Sequence, residues 1–112
     1  MNRRMQALGR FRPGVRNKTE AAYEAQLLLE LRAGAILWYR FEGITLKLGA
    51  DCRYTPDFFV MKPSGELECH EVKGYWTDDA KVKVRVAASM FPFAFIVVTK
   101  ENGGFKLEEV QP

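Results

Sequence analysis

Seven consecutive residues, Phe93 to Thr99, carry almost nothing but apolar side chains. A strand reads this way only when both of its faces are covered, because alternate side chains point to opposite sides of a sheet. That run therefore demands layers above and below it. The segments around it can supply them. Asn17 is a good helix cap and Gly34 a good stop, with Tyr23, Leu27, Leu28 and Leu31 between them at helical spacing. Thr77, followed by Asp78 and Asp79, opens a second predicted helix that runs to about Met90, before Phe91 and Pro92 end it.

Between the two helices the pattern changes to strands. Ile36 to Phe41 is the first, and Ile44 to Leu48 the second, after the Glu42-Gly43 turn. Tyr54 to Met61 reads as one continuous third strand, with apolar groups on both faces. The turn Lys62 to Gly65 leads into a fourth, Glu66 to Lys73. Phe105 to Val110, after Asn102-Gly103-Gly104, closes the series as an edge strand. The expected architecture is α/β, with a mixed sheet in which the second helix forms a parallel crossover from the Glu71 strand to the Ile96 strand.

At 112 residues, 47% of them apolar, the chain fits one globular domain. No apolar run approaches the roughly 20 residues of a membrane span. The basic opening does not lead into the apolar segment of a signal peptide, so a cytoplasmic protein is expected. Cys52 and Cys69 lack spaced His or Cys partners and read as free, partly buried thiols. Charge is distributed unevenly. Residues 1–19 hold six of the 17 basic residues (Arg3, Arg4, Arg10, Arg12, Arg16 and Lys18) and no acid, while the remaining 11 face 14 acids. Residues 1–16 read as a basic arm and 17–112 as the domain. Such an arm suits a polyanion through counterion release, with a solubilising leader as the alternative.

The chemistry concentrates between Tyr54 and Gly74. Glu71 and Lys73 project from one face of their strand while Val72 points the other way, and a hairpin would bring Asp57 beside Glu71. Two carboxylates can bind Mg²⁺ through a few oxygens, leaving the other positions to water and phosphate. The carbonyl of Val72, between Glu71 and Lys73, is a further candidate oxygen ligand. A neighbouring lysine can orient an attacking water or stabilise a phosphate that gains charge. A solvated ion pair on an exposed strand would give the same letters, but the apolar residues Phe58 to Met61 argue that the site lies at the end of a covered sheet. Glu20 adds a third acid, on the helical face of Tyr23, Leu27 and Leu31, although Asn17 with Glu20 also fits a capping box. Glu24 shares that face and is the alternative helix acid.

Lys81, Lys83 and Arg85 follow on the second helix, preceded by Tyr75 and Trp76. Basic side chains beside aromatics suit a nucleic-acid backbone and unstacked bases. A solvated helix face over a valine stripe is the plainer reading. His70 falls on the strand face opposite Glu71 and is given a structural or peripheral role.

At Pro56-Asp57, Glu71-Val72-Lys73 and the helix acid Glu20 the chain resembles the PD-(D/E)XK nuclease superfamily. More closely, it resembles small phage-encoded endonuclease-like proteins with an Asn-Lys-Thr-Glu helix start, a Tyr-Thr-Pro-Asp-Phe strand and a Glu-Val-Lys-Gly strand before a lysine-rich helix. Asn17 to Glu20, Tyr54 to Phe58 and Glu71 to Gly74 match in order, and the likeness covers about residues 17–100. The resemblance implies a restriction-endonuclease-like αβββαβ core and a metal-dependent phosphodiesterase acting on DNA. Asp57 and Glu71 become metal ligands for Mg²⁺ or Mn²⁺, Lys73 the catalytic lysine and Glu20 the helix acid. Arg12, Arg16, Lys18, Tyr75, Trp76, Lys81, Lys83 and Arg85 are the residues expected to meet nucleic acid. The expected setting is phage recombination, replication or packaging, for a phage protein in the host cell or one encoded by a prophage. A non-catalytic DNA-binding protein on this fold and an RNA nuclease using the same site stay open, as does a homodimer cutting two strands.

Overall fold

The computed structural model describes residues 16–74 and 77–112. Its elements run α1 (Lys18–Ala33), β1 (Trp38–Phe41), β2 (Leu46–Gly49), β3 (Cys52–Tyr54), β4 (Phe58–Met61), β5 (Leu67–Lys73), α2 (Asp78–Met90), β6 (Ala94–Glu101) and β7 (Gly104–Glu109). Five strands form one mixed sheet in the order β1-β4-β5-β6-β7, and β2 pairs with β3 in a separate two-stranded ribbon. Only β5 and β6 are parallel, which is the pairing that a helical crossover through α2 requires.

Each helix covers one face of the sheet. Beneath α1, the side chains of Tyr23, Leu27, Ile36, Phe58, Val60, Val72 and Val98 pack into one core. Beneath α2, Val84 and Ala87 pack with Cys69, Phe95 and the ribbon residues Leu46 and Tyr54. The run at β6 divides between the two by alternation: Phe95 faces α2, and Val98 faces α1. This double cover explains the unbroken apolar sequence.

Three sequence expectations change. The predicted third strand, Tyr54 to Met61, is two strands in different sheets, because Thr55, Pro56 and Asp57 interrupt the ladder. Proline cannot donate a ladder hydrogen bond, so the break falls there. The apolar face of α1 is narrower than its spacing suggested. Tyr23 and Leu27 are fully buried with Glu20, whereas Leu28 and Leu31 lie at its exposed margin. Ile36 is buried but precedes its strand, filling the core below the turn that Gly34 makes at φ +79°.

The Glu42-Gly43 turn also has a positional role. A Cβ on Gly43 would lie 3.0 Å from Arg40 Cβ and 3.4 Å from Phe59 Cβ, so glycine permits the close return of the chain. Glu42, at φ +50°, directs its N–H onto the Asp57 carbonyl at 2.7 Å.

The narrow buried face of α1 predicts a sharp contrast between neighbouring leucines. Leu27→Ala is expected to lower unfolding free energy by about 2–5 kcal/mol, and Leu29→Ala by less than about 0.5 kcal/mol. Urea denaturation of both variants measures this; equal losses would mean that α1 is seated differently.

Candidate active site

Strand β4 pairs antiparallel with β5 as far as Phe58 and His70. One residue beyond that pair stand Asp57 and Glu71, where the ladder stops. Asp57 spans the resulting gap. Its carbonyl accepts from Glu42 N–H on one side, and its Oδ2 accepts from Val72 N–H at 2.8 Å on the other. A side chain thus replaces the ladder partner that β5 loses as β4 turns away. Asp57 is 1% exposed.

Glu71, 4% exposed, points to the α2 face. Its Oε1 accepts a 2.8 Å hydrogen bond from the Tyr54 hydroxyl, and its Oε2 lies 3.0 Å from Lys73 Nζ. The Lys73 side chain retains 14% exposure and the Glu71 side chain 5%, so this ion pair is largely desolvated. A buried carboxylate is tolerated when opposite charge and hydrogen bonds replace water, and both are present. Cys69 lies two residues back on the same face. Burial pushes its thiol up to about 12, with further upward contributions from the carboxylates of Glu71 and Glu68.

The opposite face of β5 has its own polar chain. The Tyr23 hydroxyl and His70 Nδ1 are 2.7 Å apart, and His70 Nε2 lies 2.9 Å from Glu68 Oε1. The hydrogen bond to His70 holds the Glu68 carboxyl below its usual range, against the opposing effect of burial. Burial, reinforced by the charges of Glu30 and Glu68, raises the Tyr23 phenol. These bonds tie α1 to β5.

Glu20 occupies the N3 position of α1 and completes the capping box. Its backbone N–H donates to Asn17 Oδ1 at 2.8 Å, and its Oε1 accepts from Asn17 N–H at 3.0 Å. It is nevertheless 2% exposed, which is unusual for a residue serving only a helix end. Glu24 is committed elsewhere: Tyr39 donates to its Oε2 at 2.6 Å, and Arg16 pairs with it while stacking over the Phe41 ring. Desolvation, then the bond to Glu24, pushes the Tyr39 phenol up to about 12. Of the two helix acids, Glu20 is the buried one.

The basic residues of α2 do not form one stripe. Lys81 and Arg85 line a cavity of about 270 Å³ with Val97, Glu108 and Glu109, beside β6 and β7. Lys83 turns the other way and donates to the Arg53 carbonyl of β3 at 2.9 Å. A separation of two positions along a helix produces this divergence. Lys18 is exposed at the start of α1. Arg12, Tyr75 and Trp76 lie outside the described residues. Sequence reasoning passed over Tyr54 as a partner of Glu71, although its place in alternation with exposed Arg53 marks it as inward-facing.

No metal site of three or more His, Cys, Asp or Glu ligands exists among the described residues. Two hard carboxylates suit Mg²⁺ in its common mode, with one or two protein oxygens and the remaining coordination from water and phosphate. On donor chemistry Asp57 and Glu71 fit that ion. No described helix is long and apolar enough to cross a membrane. No protein family model, curated protein or solved structure matches the chain.

Two outcomes follow from this geometry. Asp57→Ala leaves the buried Val72 N–H without its acceptor and is expected to cost about 1–3 kcal/mol, with faster exchange of that amide by NMR. Asp57→Asn retains a carbonyl oxygen and should lose less; equal protection of Val72 in all three proteins would contradict the bridge. At mildly alkaline pH, Cys69 should stay a thiol and alkylate more slowly than the less buried Cys52, since the thiolate is the nucleophile and burial restricts access. Mass spectrometry of each site reads the difference, and comparable labelling rates would show that the α2 core opens.

Proposed function

We propose that the chain is a Mg²⁺- or Mn²⁺-dependent DNA endonuclease with a restriction-endonuclease-like core. What carries the reading is the pair of buried carboxylates at the point where β4 and β5 part, with a lysine held against one of them. Proteins rarely bury two acids at a strand end without a use for them. The order of helix, strands, crossover helix and strand supports the same reading, as does its resemblance to the PD-(D/E)XK pattern.

Asp57 and Glu71 would hold the metal, with the Val72 carbonyl as a further oxygen and Glu20 as the helix acid. When bound, the ion lowers the pKa of a coordinated water and offsets negative charge on the phosphate. The chain's own residues then have distinct tasks. Tyr54 fixes the orientation of Glu71 through Oε1. Lys73 Nζ, now paired with Glu71, can donate instead to a phosphate oxygen and stabilise charge developing there. In-line attack of water forms the new P–O bond as the bond to the leaving sugar oxygen breaks.

One observation favours a second reading, a DNA-binding protein that does not cut. Lys73 and Glu71 satisfy each other, and the Glu20 carboxylate already caps α1, as in a purely structural network. Incubation with linear, nicked, flapped and four-way DNA, and with RNA of matching sequence, separates the readings. Wild type with Mg²⁺ or Mn²⁺ is expected to cut DNA, and Asp57→Asn and Lys73→Gln to be slower by about 10²–10³. If all three proteins bind DNA alike and none cuts any substrate, the second reading replaces the first. Cleavage of RNA alone would redirect the same chemistry to that substrate.

A further inference from the structure

The β2–β3 ribbon carries an arrangement that its own stability disfavours. Its inward residues Leu46 and Tyr54 are directly paired and buried in the α2 core. The next pair, Lys47 and Arg53, faces outward, and both side chains are exposed. Like charges directly opposite on antiparallel strands destabilise the pairing. No ion pair with an acid is present at either residue among the described residues. A third cation is near the ribbon, where Lys83 reaches from α2 to the Arg53 carbonyl at 2.9 Å. The single acid of the ribbon, Asp51, sits in the turn at φ +57°.

On the opposite side of the buried Leu46–Tyr54 pair lie Thr45 and Thr55, whose hydroxyls are 2.8 Å apart and exposed. The outer surface therefore offers two hydroxyls and then two cations in successive rows. Hydroxyl, lysine and arginine side chains are the groups that proteins set against phosphate oxygens. A two-stranded ribbon is also a shape that follows a duplex groove. Arg53 is four residues from Asp57, about 13 Å of extended chain. Tyr54, between Arg53 and Thr55, bonds Glu71 directly.

We infer that the outer face of the β2–β3 ribbon, through Lys47 and Arg53 with the Thr45–Thr55 hydroxyls, is a phosphate-backbone site for duplex DNA adjoining the carboxylate centre. The inference rests on the nucleic-acid reading above and gives that site its substrate track. The track runs along the ribbon toward Asp57, on the side of α2 away from Lys81 and Arg85. An anion there also relieves the repulsion between Lys47 and Arg53.

Fluorescence anisotropy with labelled duplex DNA over a range of salt concentrations, in EDTA, tests it. The double variant Lys47→Ala/Arg53→Ala should bind more weakly, with the log–log salt slope reduced by about two. The control Arg32→Ala/Lys100→Ala, with the same change in net charge, should keep the wild-type slope. Thermal unfolding of the ribbon variant should show a midpoint no lower than wild type, because a repulsive pair has been removed. Equal slopes for wild type and ribbon variant, or equal loss in both double variants, overturns the site. Cleavage assays on the same preparations keep the two readings apart. Hydrolysis by wild type with an unchanged ribbon slope overturns the ribbon alone, whereas a lost slope without hydrolysis supports the ribbon and overturns the nuclease.

Discussion

The hydrogen bond from Val72 N–H to Asp57 Oδ2 is the joint on which the arrangement depends. Strand β5 lies at the centre of the sheet and loses its β4 partner just beyond His70. An unpaired backbone N–H at that depth would cost about as much as a lost hydrogen bond, so a replacement acceptor is required. Asp57 supplies it from the segment that ends the ladder. The same contact closes the gap in backbone bonding and brings a buried carboxylate next to Glu71. Structural need and chemical opportunity coincide in one side chain.

From that joint the two faces of β5 diverge in purpose. His70 looks toward α1 and, through Tyr23 and Glu68, docks the helix on the sheet. Glu71 and Lys73 look toward α2, where Tyr54 from the ribbon completes their bonding. Strand alternation alone produces the separation, since neighbouring residues cannot share a face. The ribbon is thus more than a connection between β1 and β4. It delivers a hydroxyl to Glu71 from its inner face while presenting Lys47 and Arg53 on its outer one.

The helices, the parallel crossover and the edge strand β7 were legible in the sequence because caps, turn residues and apolar periodicity all pointed the same way. The split between β3 and β4 was less so. Tyr54 to Met61 has strand-forming residues throughout, and only Pro56 marks the interruption. Whether a proline ends a strand or sits on its edge depends on partners that a linear pattern does not show. On α1, leucines at helical spacing suggested a broad buried face, but only Tyr23 and Leu27 with Glu20 are buried, leaving Leu28 and Leu31 at the margin. For the candidate site, the residue types at Asp57, Glu71 and Lys73 could be read directly. Their bonding could not: the roles of Tyr54, Arg53 and Glu24 arise from contacts between elements distant in sequence.

The central claim is that Asp57 and Glu71 form a divalent-cation site where β4 and β5 part. Titration with Mn²⁺, read as paramagnetic broadening of backbone amide signals by NMR, addresses it without any nucleic acid or turnover. Broadening should begin at residues 57 and 71–73, and this focus should vanish in Asp57→Asn while the remaining spectrum stays dispersed. Broadening that starts instead at the exposed acids Asp78, Asp79, Glu108 and Glu109, and is the same in both proteins, would contradict the claim.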